Sequence, residues 1–109
     1  MESMKIAHME KSTAHYKLDA IKAAIAAAGV SLFTRTAVTG YTNMGLSDAQ
    51  AVEVVLGLQR TMLFKSMTTY ADHTIWQDVY HAPCSNGKTA YIKITLRSNG
   101  AVVIQFKEK

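Results

Sequence analysis

The chain has 109 residues, of which 49% are apolar, so it can bury one modest core and we expect a single domain across residues 1–109. Its one cysteine excludes an internal disulfide, its start lacks the apolar stretch of a secretory signal, and its longest apolar run is far too short to span a membrane. We therefore expect a cytoplasmic protein, and the net charge of +4, all contributed by residues 60–109, suits a polyanionic ligand or an acidic partner.

The first predicted element is a helix near the start of the chain. Residues 1–12 look loose, and after them apolar residues recur every three or four positions, which predicts a helix over about 14–28. Gly29 is placed to end it. The short apolar stretch 30–33 could form a strand.

The second predicted element is another helix. Ser47 is followed three residues later by Gln50, a pair typical of a capping box at a helix start. The apolar stripe that comes next predicts a helix over about 48–59. The Thr- and Gly-rich segment 34–45, which precedes it, is ambiguous and has no predicted structure.

The C-terminal half has the pattern of an antiparallel sheet. After Ser66 come short runs rich in Thr, Ile, Val, Tyr and Trp, interrupted at residues 85–87 and 98–100, where Asn-Gly favours hairpin turns. The fold class predicted is α+β, with two N-terminal helices packed on one face of a small antiparallel sheet formed mainly by the C-terminal half. The other face of the sheet is expected to be exposed.

The register of the last hairpin can be predicted from its alternation. A two-residue loop would place the two apolar sets on opposite faces, whereas a three-residue loop, 98–100, with Gly100 in the left-handed conformation, places them on the same face. Two polar side chains far apart in sequence then meet on the exposed face. The predicted pairs are Leu96–Val102, Ile94–Ile104, Ile92–Phe106, Tyr91–Lys107 and Lys93–Gln105.

Residues 64–80 contain more functional side chains than a core or a solvated edge needs. RNA can be cleaved without a metal when its own 2′-hydroxyl attacks the adjacent phosphate, which requires a base, an acid and cations to stabilise the added charge. A solvated sheet face would also explain any one of the candidates, and alternation does not decide which face Gln77 occupies. The candidates for those roles are Lys65, Gln77, His81, Tyr91 and Lys107.

The run 64–80, read with Tyr-Ile-Lys-Ile-Thr at 91–95 and Phe-Lys-Glu-Lys at 106–109, closely resembles the MqsR family, toxins of toxin–antitoxin pairs that cleave messenger RNA. The resemblance extends from about Met9 to Lys109 and is weakest across 34–45. It implies a RelE-like α+β fold with a single mRNA interferase domain. The ribonuclease site that it implies consists of Lys65, Gln77, Tyr91 and Lys107.

The same resemblance implies how the toxin acts. Cleavage would need neither a metal, nor another cofactor, nor the ribosome, would favour GC-containing triplets such as GCU, and would inhibit translation. The partners would be the messenger RNA and a cognate antitoxin, a zinc-containing helix-turn-helix protein like MqsA. Zinc and operator recognition would then belong to the antitoxin, with this chain at most a corepressor subunit on operator DNA.

Two residues depart from the family pattern. Phe64 stands where the family has Tyr, which removes a hydroxyl that could contact RNA, and His81 stands where an Arg often follows the Val-Tyr pair. A histidine there would make charge and RNA affinity depend on pH near neutrality. The residues expected to contact RNA are Phe64, Met67, Tyr70, His81 and Lys93.

Other interpretations are also compatible with the sequence. His81 and Cys84 are two possible zinc ligands, but a structural site needs four. Trp76 and Tyr80 could stack on bases, although strand alternation favours a core position, and His73 could serve as acid or base, although a turn position favours a structural role. The rival function is a non-enzymatic module whose basic sheet face binds RNA or a protein. A DNA-binding regulator would need a recognition helix with a basic stripe, which the sequence lacks.

Overall fold

The structure, a computed structural model, describes residues 9–109 and confirms the predicted α+β class. In these residues three α-helices pack against a five-stranded antiparallel sheet whose strands lie side by side in chain order. The helices are α1 (Leu18–Ala28), α2 (Arg35–Asn43) and α3 (Asp48–Leu56). The strands are β1 (Glu10–Lys11), β2 (Leu63–Thr68), β3 (Trp76–Pro83), β4 (Thr89–Leu96) and β5 (Val102–Glu108), and short 3₁₀ helices cover Gly29–Leu32 and Arg60–Met62.

Helix α1 begins four residues later than predicted, because the backbone before it is bound to the sheet. His15 N donates to both carboxylate oxygens of Asp78 at 2.9 and 3.1 Å, and Tyr16 N donates to the same carboxylate at 2.9 Å. Asp78 is only 1% exposed, so these bonds satisfy a buried charge as well as two N–H groups. The prediction of helix over 14–17 was therefore wrong.

The chain before this anchor lies at the edge of the sheet. Of the predicted loose segment 1–12, residues 1–8 fall outside the described part. The next residues include β1, in which Glu10 pairs with Met67 and Lys11 with Ser66. This short strand extends the sheet beyond the C-terminal half and places Glu10 beside β2.

The segments around the second helix differ from expectation. The predicted strand at 30–33 is wrong: a 3₁₀ helix occupies most of it, and only Phe33 makes an isolated parallel bridge, to Ile104. The unassigned segment 34–45 contains α2, whose first turn is capped by the Thr34 hydroxyl accepting from Ala37 N at 3.0 Å. Residues 9–109 thus contain three α-helices rather than the two predicted, and α3 ends at residue 56 rather than 59.

Helix α2 packs directly on β5. A Cβ added to Gly40 would lie 2.1 Å from the Phe106 carbonyl oxygen, so only glycine permits this approach. Thr34 N also donates to the Ile104 carbonyl at 3.0 Å. The start of α2 is consequently fixed against the edge of the sheet.

The core lies between the helices and one face of the sheet. Its largest fully buried members come from both layers and include Ile21, Ile25, Tyr41, Tyr80, Ile92, Ile94 and Ile104. Each buried side chain of this size contributes about 1.5–3 kcal/mol of transfer free energy. A one-residue slip of any strand would turn the core side chains of that strand to the solvent. The cost of exposing them fixes the register. Tyr80 therefore belongs to the core, as favoured from the sequence, and Trp76 is half-buried on the same side.

The last hairpin confirms the predicted register. Leu96 pairs with Val102 and Tyr91 with Lys107. Arg97 N donates to the Ala101 carbonyl at 2.8 Å, and Gly100 has φ +87, so the loop is the three-residue type with a left-handed glycine. We call the sheet surface opposite the helices the open face. It carries the side chains of both Tyr91 and Lys107.

Candidate active site

The register of the strands arranges the open-face side chains in rows that run across the sheet. The first row contains His81, Tyr91 and Lys107, and the second contains Lys65, Val79, Lys93 and Gln105. Beyond the second row, Met67 pairs with Gln77 on β2 and β3, and Thr95 pairs with Val103 on β4 and β5. Nearly all the residues predicted for catalysis and RNA contact thus share one surface. The strand β3, whose orientation the sequence left open, points Gln77 to this face and Asp78 to the core.

Tyr91 and Lys107, two of the predicted catalytic residues, are in contact. They face each other across the β4–β5 pair, and Lys107 Nζ lies 5.1 Å from the centroid of the Tyr91 ring. Tyr91 is half-buried and Lys107 is exposed. A phenol that can exchange a proton therefore stands next to a cation that a phosphate can reach.

Lys65 reaches the same cluster from β2. Its Nζ donates to the Glu10 carboxylate at 2.8 Å, and this hydrogen bond is the main cause that raises the pKa of Lys65. The Tyr91 and Tyr70 phenols are also close enough to raise it. The charged ammonium form of Lys65 is therefore favoured at neutral pH.

His81 extends the first row towards β2. An irregularity between Leu63 and Lys65 lets the Phe64 ring stack on the imidazole, with centroids 4.5 Å apart, and the Tyr91 ring lies 5.6 Å away on the other side. Burial and then the charge of Lys109 lower the pKa of His81. The ring is thus neutral at pH 7. The change in its charge, which was expected near neutrality, therefore occurs at a more acidic pH.

Gln77 lies apart from the Tyr91–Lys107 pair. It is four residues from His81 along β3, which is about 13 Å. Among the residues predicted for the site, those nearest to Gln77 are Met67, which lies opposite it on β2, and Lys65, which lies in the second row. Tyr70 is 74% exposed in the connection after β2. The structure therefore brings Lys65, Tyr91 and Lys107 together and leaves Gln77 at one end of the surface.

Comparison with known proteins identifies the chain. A sequence model of the family described as "Motility quorum-sensing regulator, toxin of MqsA" matches residues 13–108. The chain is also 41% identical over 101 residues to the mRNA interferase toxin MqsR of Escherichia coli (strain K12), across 93% of this chain and 100% of that protein. The chain belongs to the MqsR toxin family. The resemblance inferred from the sequence is thereby confirmed.

From the sequence, no role was predicted for three parts of the site in this MqsR family member. Glu10, the partner of Lys65, lies in the segment expected to be loose. Thr34 and Thr36 line a cleft beside Lys107 but come from the segment that had no predicted structure. Gln105 was placed on the open face without a role. Of these residues, the sequence predicted a position on the open face only for Gln105, through the register of the last hairpin.

The described part of this MqsR family member shows no group suited to a metal. Among residues 9–109 no three His, Cys, Asp or Glu side chains are close enough to share an ion. Cys84 is buried in the turn after β3, where burial raises the pKa of its thiol. No helix in those residues is long and apolar enough to cross a bilayer.

Proposed function

We propose that this protein is an endoribonuclease that cleaves messenger RNA as the toxin of a toxin–antitoxin pair. The observation that carries the proposal is the contact between Tyr91 and Lys107 on the open face, with Lys65 within electrostatic range of the same phenol. Family membership supports it, because the relative from Escherichia coli is named an mRNA interferase toxin. A purely binding surface would not need a phenol held between two cations.

The reaction proposed is attack of the RNA 2′-oxygen on the adjacent phosphorus. The 2′-hydroxyl gives up its proton to a base as the new bond forms a 2′,3′-cyclic phosphate, and the bond from phosphorus to the 5′-oxygen of the next nucleotide breaks as an acid delivers a proton to that oxygen. All the atoms come from RNA, and the protein supplies proton transfer and positive charge. The reaction proceeds without a metal, another cofactor or the ribosome.

The residues divide these roles according to their surroundings. Lys65, held protonated by Glu10, stabilises the phosphorane, and Lys107 supplies a second positive charge. Tyr91 lies between them and exchanges a proton with a reacting oxygen. Gln77 orients the RNA backbone, and its distance from Tyr91 along the sheet means that it contacts a flanking part of the strand.

RNA contacts extend over the rest of the open face. Phe64 is 54% exposed and stacks on His81, which offers a platform for an unpaired base. Lys93, Met67 and Tyr70 complete the surface. We propose that GC-containing triplets such as GCU are preferred, and that cleavage of messages inhibits translation in the cytoplasm.

The antitoxin is the second proposed partner. The family description names its members as toxins of MqsA. We propose that a zinc-containing helix-turn-helix antitoxin of that kind neutralises this chain, and that the complex acts on operator DNA with this chain as corepressor. The basic C-terminal half suits an acidic protein surface as well as RNA.

The test is cleavage of end-labelled RNA containing GCU sites by purified protein in excess EDTA. A Lys65→Ala/Lys107→Ala protein prepared in the same way is the control. Discrete cuts by the wild type alone would support the proposal, because both the metal and a contaminating nuclease would be excluded. The absence of cuts by folded wild-type protein would contradict it and favour the non-enzymatic binding module.

A further inference from the structure

A cleft of about 390 Å³ opens beside the Tyr91–Lys107 pair. One wall is the start of α2, and the other is formed by the open-face side chains of β4 and β5. This volume suits a single small ligand such as one nucleotide. The polar residues that line it are Thr34, Thr36, Tyr91, Lys93, Gln105 and Lys107.

The two walls of the cleft are fixed to each other. Gly40 brings α2 against the Phe106 carbonyl, and the Thr34 backbone is bonded to Ile104. The Thr34 hydroxyl already accepts a hydrogen bond from Ala37 N, so this polar group of the helix wall is engaged within α2. A ligand would therefore meet a preformed space, in which the strand side chains supply the charged groups.

Two lysines, Lys93 and Lys107, share this cleft. Neither Lys93 nor Lys107 forms an ion pair with any carboxylate of residues 9–109. Burial and then the charge of Lys107 lower the pKa of Lys93, which means that the two cations repel each other in a partly desolvated space. An anion placed between them would relieve that repulsion.

Gln105 adds a group that can distinguish bases. It is half-buried, and its amide makes no hydrogen bond with the described part of the chain. A glutamine amide offers both a donor and an acceptor, which is the pair of groups needed to read the edge of a base. It lies next to Lys93 across the β4–β5 pair.

We propose that this cleft binds the nucleotide adjacent to the scissile phosphate, with Gln105 reading the base and Lys93 contacting the phosphate. The inference rests on the proposed ribonuclease function. Because Tyr91 and Lys107 belong to both the catalytic cluster and the cleft, a nucleotide in the cleft is continuous with the strand being cut. Gln105 is then a specificity-determining residue.

The experiment maps cleavage of an RNA library randomised around the cut, using wild type, Gln105→Ala and the control Gln59→Ala, which changes an exposed glutamine outside the cleft. Gln105→Ala should reduce the preference at one nucleotide position about tenfold and leave the other positions unchanged. Gln59→Ala should match the wild type. Equal preference at every position for Gln105→Ala and wild type would overturn the inference.

A second variant separates the two contacts. Lys93→Gln should weaken the binding of all sequences alike. It should also reduce the slope of log affinity against log salt concentration by about one, because one fewer ion is released on binding. Unchanged affinity and salt dependence would overturn the phosphate contact.

A binding readout separates the inference from the proposed function. Four 2′-O-methyl oligonucleotides that differ at one position measure the base preference without cleavage. Wild-type discrimination that Gln105→Ala loses would support the inference, whereas equal discrimination by both proteins, or by neither, would overturn it. Failure of the wild type to cut any RNA would overturn the ribonuclease proposal, and with it the position next to a scissile phosphate, whereas the readout of a base by Gln105 would still be decided by these binding measurements.

Discussion

Lys107 Nζ lies 5.1 Å from the centre of the Tyr91 ring, directly across the hairpin formed by β4 and β5. If Tyr91 transfers a proton during cleavage, Tyr91→Phe removes that group and little else. We expect kcat to fall by about 10²- to 10⁴-fold with the fold intact, as measured by single-turnover cleavage and circular dichroism. Tyr80→Phe is the matched control, because it removes the same atom from a buried ring on the core face of β3. Equal rates for Tyr91→Phe and wild type would remove Tyr91 from proton transfer.

If RNA contacts Lys65 as proposed, the ion pair between Lys65 and Glu10 competes with the RNA for the lysine. Their side chains are 28% and 47% exposed, so the pair is worth little and is easily exchanged. Glu10→Gln should therefore bind 2′-O-methyl RNA about two- to fivefold more tightly at low salt, measured by fluorescence anisotropy. Glu53→Gln on α3 is the control for loss of one negative charge. Weaker binding by Glu10→Gln would show that the carboxylate assists the RNA contact.

The contact between Lys65 and Glu10 shows which parts of the site a sequence pattern can predict and which it cannot. The hairpin register followed from alternation and a glycine turn, which are local signals, and it placed Tyr91 opposite Lys107 correctly. The edge strand of Glu10 has only two residues, too few to produce a periodic pattern. Its position depends on pairing with β2, more than 50 residues away in the chain.

The helices also differ in this respect: local signals predicted some of their boundaries, whereas contacts distant in sequence determine the others. The capping box predicted the start of α3, since Ser47 and Gln50 satisfy each other locally. The start of α1 was misplaced because the competing acceptor, Asp78, is distant in sequence. Helix α2 was missed because its Thr and Gly residues have low helix propensity, which packing against β5 overrides.

Asp78 ties the N-terminal segment to the sheet from the core side. Its carboxylate accepts from His15 N, Tyr16 N and Ser66 Oγ, the last at 2.6 Å. Asp78→Ala leaves these donors unpaired, so we expect the free energy of unfolding to fall by about 3 kcal/mol in urea denaturation. Ser66→Ala, which removes one donor, should cost about 1 kcal/mol. Similar losses for the two variants would contradict the anchoring role of the carboxylate.

Stability should depend on pH through His81. Burial and the charge of Lys109 lower the pKa of its imidazole from 6.5, so the unfolded chain binds the proton more readily than the folded one. The stabilisation is complete above pH 6.5 and is lost as pH falls through the folded-state pKa. We expect the Tm to decrease from about pH 7.5 to about 5.5 and to decrease less in His81→Gln.

His15 contributes in the same direction, since burial and then Lys11 lower its pKa. A His15→Gln/His81→Gln protein should therefore show a flatter dependence than either single variant. Identical slopes of Tm against pH in wild type and His81→Gln would contradict the assignment of this effect to His81.

The most direct test of the catalytic proposal is cleavage of an RNA oligonucleotide with a single cut site by wild type and Lys107→Ala, with identification of the product ends. We predict that the wild type yields a 2′,3′-cyclic phosphate and a 5′-hydroxyl, and that folded Lys107→Ala binds the oligonucleotide but does not cut it. Undiminished cleavage by a pure Lys107→Ala protein, or products with a 5′-phosphate, would contradict the proposed catalytic mechanism.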